Sequence, residues 1–162
     1  MNIALIGYGK MGKEIEKVAE ERGHKVVLIC NSELSVHYAD FTDVDLAIEF
    51  TEPGLAVGHI EFCIEQNIPV VVGTTGWYDQ LEEVSNKVNS NNGSLLHATN
   101  FSIGVNIFFE INKKLAELMS TTNEYKVSVE ETHHLQKLDS PSGTSISIAD
   151  DILSNNTNYM SW

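Results

Sequence analysis

A glycine motif near the start of the chain constrains the fold more than any other feature. It reads Gly7-Tyr8-Gly9-Lys10-Met11-Gly12 and follows the short apolar run Asn2–Ile6. Apolar residues with helical spacing come after it. In that context Gly7 permits a tight turn, Gly9 lets a pyrophosphate approach the backbone, and Gly12 lets helix and strand pack closely. The motif therefore predicts a dinucleotide site at a helix N-terminus, and a merely structural glycine turn is the alternative.

Strands and helices alternate through the first hundred residues. Short apolar runs at 26–30, 46–50, 70–72 and 95–98 predict four more strands after the first. Helical spacing begins near Lys13, begins again at Pro53 and recurs at 78–88. Helical crossovers between short strands imply a parallel sheet, so we expect an α/β fold with a Rossmann-type doubly wound sheet over residues 1–100. Ligands of such sheets bind at the carboxyl ends of the strands.

The pattern changes after residue 100. One long amphipathic helix is predicted by the apolar residues Phe108, Ile111, Leu115 and Leu118. Residues 126–130 alternate between polar and apolar, which is typical of a half-exposed antiparallel strand, and 144–153 predict a short helix. Residues 101–162 are therefore interpreted as the start of a second, α+β domain, of which only part is present.

The charge balance excludes several classes of partner. The chain has 10 Lys and Arg against 23 Asp and Glu, a net charge of −13, which disfavours nucleic acid and anionic membrane surfaces. It begins directly in a strand and has no apolar stretch of about 18 residues, so we expect a cytoplasmic protein. Cys30 and Cys63 lie in apolar runs without metal-binding spacing and are interpreted as buried, reduced thiols.

The end of the second predicted strand bears on the choice of cofactor. A typical NAD site has an acid there that binds the adenosine ribose, but this chain has Asn31. Asn31 can bind a ribose without repelling a 2′-phosphate, and Lys10 is a candidate to attract that phosphate. Glu33 is the competing acid. NADPH and NADH both stay open as cofactors, and Glu33 is equally well explained as a solvated turn residue.

Two segments follow later strands at positions suited to a nicotinamide. They are Gly73-Thr74-Thr75-Gly76 and Ala98-Thr99-Asn100-Phe101-Ser102. Small residues and hydroxyl groups let the backbone approach and bond the carboxamide of the ring, and Phe101 can form a wall of the site. The Phe50-Thr51 pair after the third strand is a similar case. Taken alone, each segment is also compatible with an ordinary turn.

A polar cluster at 130–144 contains His133, His134 and Lys137, which are unusual in so acidic a chain. Adjacent histidines on extended backbone point to opposite sides, so a shared zinc ion is disfavoured. Ser142-Gly143-Thr144 opens the last predicted helix, where free N–H groups and the Thr144 hydroxyl would bind a carboxylate. Lys137 could bind or protonate the same substrate, so the cluster predicts anion recognition with a proton donor.

Together these motifs resemble the dihydrodipicolinate reductase family. The most specific segment is Glu131-x-His133-His134-x-x-Lys137-x-Asp139-x-Pro141-Ser142-Gly143-Thr144, and the resemblance also includes Gly7 to Gly12, Phe50-Thr51-x-Pro53, Gly73 to Gly76 and Asn100 to Asn106. The resemblance implies NAD(P)H-dependent reduction of a cyclic dicarboxylate in lysine and diaminopimelate biosynthesis, by a homotetramer. It also implies that residues 101–162 are part of a C-terminal α+β domain that binds the substrate.

The resemblance also implies roles for individual residues. His133 would be a proton donor or acceptor and Lys137 a proton donor, while His134, Gly143 and Thr144 would bind substrate. The cofactor would contact residues of the glycine motif and of the two later segments, namely Gly7, Tyr8, Gly9, Lys10, Met11, Gly12, Gly73, Thr74, Thr75, Ala98, Thr99, Asn100 and Phe101.

The chain departs from the family pattern in two ways. Asn31 and Ser32 stand where an acid and an arginine are usual, and the family's chain continues well beyond residue 162. We therefore expect a fragment that binds nucleotide without turnover. Two alternatives stay open: another Rossmann reductase of the aspartate dehydrogenase type, and a nucleotide-binding module without catalysis. The His-His-x-x-Lys segment argues against the first.

Overall fold

The computed structural model describes residues 1–133, 135 and 140–162. The chain divides into two compact units, Met1–Ala98 and Thr99–Trp162. His134 and Lys137, for which substrate-binding and proton-donor roles are predicted, lie outside the described residues.

The first unit is a five-stranded parallel sheet with helices between its strands. Its elements in chain order are β1 (Asn2–Ile6), α1 (Lys10–Glu21), β2 (Lys25–Cys30), β3 (Leu46–Glu49), α2 (Pro53–Glu65), β4 (Val70–Val72), α3 (Leu81–Ser90) and β5 (Leu95–His97). The strand order is β2-β1-β3-β4-β5, and every neighbouring pair is parallel. The order reverses between β1 and β3, which is the topological switch point where such sheets bind ligands. The predicted doubly wound α/β fold is confirmed.

Alternate residues of β1 pack on opposite faces of the sheet. Ile3 and Leu5 join a buried cluster with Ala19 of α1. Ala4 and Ile6 join the larger cluster, which contains Ile60 of α2. Successive side chains of a strand point to opposite faces, so helices on both sides bury both faces of β1. This burial explains why the strand is an almost continuous apolar run.

Two helices are found among the described residues of the second unit, α4 (Ile103–Met119) and α5 (Gly143–Asn155), and they pack against each other. Asn112 on α4 is buried and donates from Nδ2 to the carbonyl of Ile148 on α5, at 3.0 Å. Exposed apolar side chains lie along the rest of α4, including Ile103 and Leu118. None of the described helices is long and apolar enough to cross a membrane.

The structure corrects several predicted elements. Residues 126–130 are not assigned as a strand. A strand needs a partner to satisfy its backbone, and within the described ranges the Val127 N–H is bonded instead to the Tyr159 hydroxyl, at 3.1 Å. Helix α1 begins at Lys10 rather than near Lys13, because the Gly9 carbonyl already accepts from the Lys13 N–H. The helix predicted at 78–88 is a 3-10 turn, Tyr78–Gln80, followed by α3.

Candidate functional site

A cavity of about 630 Å³ opens at the carboxyl ends of β1, β2 and β3. Four residues predicted to contact a cofactor line it: Gly7, Tyr8, Gly9 and Asn31. Thr51 and His59 line it as well. The cavity therefore lies at the switch point of the sheet, where the sequence predicted a dinucleotide.

The glycines of the motif differ in the space around them. Gly7 has φ +96°, and a Cβ on it would lie 2.0 Å from the carbonyl oxygen of Phe50. A Cβ on Gly12 would lie 2.4 Å from the carbonyl oxygen of Gly7. A Cβ on Gly9 would meet no heavy atom within 4 Å. Gly7 and Gly12 are thus required by the protein's own packing, whereas the space beside Gly9 is open to a ligand.

The N-terminus of α1 is suited to an anion. Gly9 is the N-cap residue and provides no side-chain cap for the first N–H groups of the helix. Lys10 and Met11 follow on the exposed first turn, and Gly12 is buried. The Tyr8 hydroxyl donates to the carboxylate of Glu16, which holds the ring against the side of α1.

The turn after β3 is tied to the turn after β4. The backbone N–H of Thr51 donates to the hydroxyl of Thr74 at 2.8 Å, and the Thr74 carbonyl accepts from the Trp77 indole at 2.8 Å. A Cβ on Gly73 would lie 2.0 Å from the ring of Phe50. Thr74 and Gly73 therefore have structural partners in addition to the cofactor contact predicted for them, and Thr75 is half-buried beside them.

Sequence reasoning missed a fully buried acid, Glu49, at the end of β3. Its Oε1 accepts from the hydroxyl of Thr51 and lies 3.4 Å from Nδ1 of His59. Within the described part of the chain no group donates to its Oε2. The sequence does show an acid at the end of an otherwise apolar strand. That pattern could have indicated a carboxylate with specific partners, because a buried carboxylate needs them. Glu49 holds the Thr51 turn at the rim of the cavity.

The second unit brings several predicted residues together at the start of α5. Nδ2 of Asn100 donates to Oγ1 of Thr144 at 3.5 Å, and Oγ1 of Thr99 lies 3.0 Å from Oγ of Ser147. Ser142 is the N-cap residue of α5, and its hydroxyl accepts from the Ser145 N–H at 3.1 Å. The polar segment predicted to follow the fifth strand thus contacts the helix terminus predicted to bind a carboxylate. Phe101, which follows Asn100 in the chain, is about half exposed.

Glu131 joins the predicted proton donor to this helix. Its Oε2 lies 2.8 Å from Nε2 of His133, and Oε1 accepts from the Ser142 N–H at 2.9 Å. Oε2 also accepts from the Ser142 hydroxyl at 2.6 Å and from the hydroxyl of Ser145. These bonds, those from Ser142 first, hold the pKa of the Glu131 carboxyl far below its ordinary value.

The lowered pKa of the Glu131 carboxyl leads to a testable prediction about the stability of the folded protein. A carboxyl whose pKa is lowered by folding adds stability above its unfolded pKa, near 4.5, and this stability is lost as the pH falls through the folded value. The glutamine of Glu131→Gln cannot ionise and has one acceptor oxygen instead of two. We therefore expect Glu131→Gln to lower the melting temperature most at pH 6–7 and progressively less below about pH 4. Thermal unfolding across that range is the measurement, and a difference that does not change with pH would contradict the prediction.

Comparison with known proteins identifies related sequences and structures. The family description "Dihydrodipicolinate reductase, N-terminus" matches residues 1–101, and the corresponding C-terminus description matches residues 104–160. A 4-hydroxy-tetrahydrodipicolinate reductase of Christiangramia forsetii is 44% identical over 162 residues, covering 100% of this chain and 68% of the relative. One from Staphylococcus aureus is 35% identical over 164 residues, covering 95% of this chain and 65% of the relative.

A solved structure is similar along the whole chain. Dipicolinate-bound dihydrodipicolinate reductase from Paenisporosarcina sp. TG-14 superposes with a TM-score of 0.69 at 24% identity. The match covers 100% of this chain and 69% of that one. At this identity the likeness supports the fold. The chain thus spans about two thirds of the length of the relatives that it matches.

Proposed function

Because this chain belongs to the dihydrodipicolinate reductase family, we propose that the protein catalyses the NAD(P)H-dependent reduction of 4-hydroxy-tetrahydrodipicolinate to tetrahydrodipicolinate. That reaction places it in lysine and diaminopimelate biosynthesis. The observation that carries the proposal is the family match in both units, over residues 1–101 and 104–160.

The cavity of the first unit fits a dinucleotide. Its volume, the open space beside Gly9 and the uncapped start of α1 suit a pyrophosphate at the glycine turn. Asn31 and Thr51 line the same cavity and offer polar groups to the rest of the cofactor. When bound, the nicotinamide supplies a hydride. All the predicted cofactor contacts stay predictions, including those of Lys10, Met11, Gly73, Thr75 and Ala98.

The start of α5 is proposed to bind the substrate's carboxylate. The N–H groups of Gly143 and Thr144 have no acceptor among the described residues, while the next N–H, that of Ser145, is capped by Ser142. Free N–H groups at a helix N-terminus, with the Thr144 hydroxyl, suit an anion. His134 is proposed to bind the same substrate, on the strength of its place in the family motif.

The reaction needs a proton as well as a hydride, because reduction of a conjugated ring leaves an enamine that must be protonated. His133 and Lys137 are the proposed donors. His133 is partly exposed and hydrogen-bonded to Glu131 through Nε2, so Nδ1 is the ring nitrogen left for proton exchange. The protein holds the substrate by its carboxylates and so orients the ring, and this orientation supplies the rest of the catalytic effect.

The decisive experiment uses a full-length protein that contains these residues, because the 1–162 chain is expected to bind nucleotide without turnover. It measures NADPH and NADH oxidation that depends on freshly generated 4-hydroxy-tetrahydrodipicolinate, with an aspartate dehydrogenase substrate as the control. Oxidation only with the cyclic substrate supports the proposal. Tight nucleotide binding with neither activity would favour the nucleotide-binding module, and activity with the second substrate would favour the other reductase. Assembly into a homotetramer and a cytoplasmic location stay predictions, to be checked by light scattering and by cell fractionation.

A prediction about cofactor choice arises from Asn31. Its Oδ1 accepts from the N–H groups of Glu33 and Leu34, at 2.8 and 3.1 Å, and the same residue lines the cavity. Asn31→Asp keeps an acceptor for both bonds but adds a negative charge. We therefore expect NADPH to bind the wild-type chain at least as well as NADH, and the variant to bind NADPH about tenfold more weakly.

The measurement is a titration of both nucleotides, followed by nicotinamide fluorescence. Ser32→Ala, a change on the same cavity wall that adds no charge, is the control and should keep the preference. Wild-type binding of NADH more than tenfold tighter than NADPH would refute the prediction and would point to Glu33 as the acid that binds the ribose.

A further inference from the structure

One carboxylate in the second unit contacts two groups of different function. Glu131 is hydrogen-bonded to the imidazole of His133, the proposed proton donor. It is also hydrogen-bonded to Ser142 and Ser145 in the first turn of α5, whose N-terminus is the proposed carboxylate site. In the sequence Glu131 stands two residues before His133 and eleven before Ser142.

Both carboxylate oxygens of Glu131 accept hydrogen bonds, so replacing either oxygen would remove at least one of them. Oε1 accepts from the Ser142 backbone N–H at 2.9 Å. Oε2 accepts from the hydroxyls of Ser142 and Ser145 and lies 2.8 Å from Nε2 of His133. The carboxylate therefore serves both as an additional cap for α5 and as the partner of the ring. Hydrogen bonds to a charged group are about twice as strong as neutral ones, which suits an anchoring role.

The geometry also fixes the proton on the ring. An ionised carboxylate has no hydrogen to donate, so the contact to His133 requires that Nε2 carries the hydrogen. In the neutral ring Nδ1 is then the basic nitrogen, so His133 serves as the proposed proton donor after Nδ1 has taken up a proton. The pKa of the Glu131 carboxyl is lowered by its bonds to the serines and the histidine, which keeps it ionised at neutral pH. A base oriented by a third group is a recurring arrangement in proton-transfer sites.

We propose that Glu131 is a positioning residue that holds the His133 imidazole in its Nε2–H form and at a fixed place relative to the N-terminus of α5. The functional part of this inference rests on the proposed reductase activity. Glu131 acts through these groups and does not itself contact the substrate. It leaves the N–H groups of Gly143 and Thr144 to the substrate, since its own bonds go to Ser142 and to the Ser145 hydroxyl.

The first test needs neither substrate nor cofactor. Nitrogen NMR of the imidazole rings is recorded on the 1–162 chain for the wild type, Glu131→Gln and Glu130→Gln. Glu130 is the matched control, because it receives the same change one residue away, is exposed, and has no hydrogen bond or ion pair within the described ranges. We expect a protonated Nε2 and a basic Nδ1 for His133 in the wild type and in Glu130→Gln.

Glu131→Gln should change this result, because the glutamine provides a single acceptor oxygen for four donors. The ring should populate the Nδ1–H form, and the Ser142 amide should exchange with solvent at least tenfold faster. Identical ring shifts and exchange rates in the wild type and in Glu131→Gln would overturn the proposal. If the variant does not fold, the wild-type spectrum decides, because a His133 ring protonated on Nδ1 alone would overturn it too.

The second test measures catalysis in a full-length enzyme that carries these residues, since no turnover is expected of the 1–162 chain. Glu131→Gln should lower kcat by at least tenfold and leave the KM for NADPH within twofold, while Glu130→Gln should change neither. An unchanged kcat would overturn the positioning role. Because the NMR test does not depend on turnover, failure of the proposed reductase activity and failure of this inference give different results.

Discussion

Replacing Lys137 by alanine should lower kcat/KM by about 10²-fold or more. Lys137 lies outside the described residues, and its role is proposed from its place in the family motif. A lysine ammonium can both anchor a substrate carboxylate and donate a proton, so its removal should affect binding and chemistry together. The measurement is steady-state kinetics of a full-length enzyme carrying these residues with the cyclic substrate, with NADPH affinity measured separately.

Replacing His133 by alanine should affect different kinetic constants from the Lys137 change. An imidazole exchanges protons at neutral pH but contributes less than an ammonium to binding an anion. His133→Ala should therefore act mainly on kcat, and the KM for the substrate should change little. Neither variant should alter NADPH affinity by more than a few-fold, since both residues are assigned to the substrate.

A result that contradicts these assignments is easy to recognise. If both variants kept near wild-type kcat/KM while substitutions at Gly143 or Thr144 abolished it, the proton donors would be wrongly assigned. The segment at 131–137 would then be a structural loop beside a helix terminus that binds the substrate.

Much of the first unit could be predicted from sequence because its strands are buried on both faces. A strand covered on both sides is an apolar run whichever way it pairs, so the pattern identified all five strands. The strand predicted at 126–130 was wrong because that stretch is not buried on both faces. The alternation of polar and apolar residues there is compatible with a strand that has one exposed face. A strand also needs a neighbouring strand to satisfy its backbone hydrogen bonds, and a local sequence pattern cannot show whether that neighbour is present.

The site was predicted less completely than the fold because its polar links are long-range in sequence. The glycines can be recognised from the motif, and Gly7, predicted to permit a tight turn, has a positive φ. In contrast, Glu131 reaches Ser142, eleven residues later, and the Thr51 N–H reaches Thr74, 23 residues later. Spacing along the chain carries no information about such contacts. Their chemistry could be anticipated only from the rule that a carboxylate withdrawn from solvent, such as Glu49, must find donors.

The glycine motif offers a prediction that separates packing from ligand binding. Gly12→Ala places a Cβ 2.4 Å from the Gly7 carbonyl oxygen, and neither backbone can move without disturbing the turn. We expect a loss of about 1–3 kcal/mol in stability, as for overpacking in a core. For a domain of this size that corresponds to a melting temperature lower by roughly 5–20 °C. NADPH affinity should fall at least tenfold with it, because the turn that receives the pyrophosphate is displaced.

Gly9→Ala is the matched variant, because a Cβ there meets no protein atom within 4 Å. The melting temperature should stay within about 2 °C of the wild type, since no packing contact changes. NADPH binding should still weaken by at least tenfold, because the added methyl group stands where a pyrophosphate approaches the backbone. Calorimetric unfolding and a fluorescence titration of the same samples distinguish the two effects. Normal NADPH affinity in Gly9→Ala would mean that the dinucleotide does not bind across this turn.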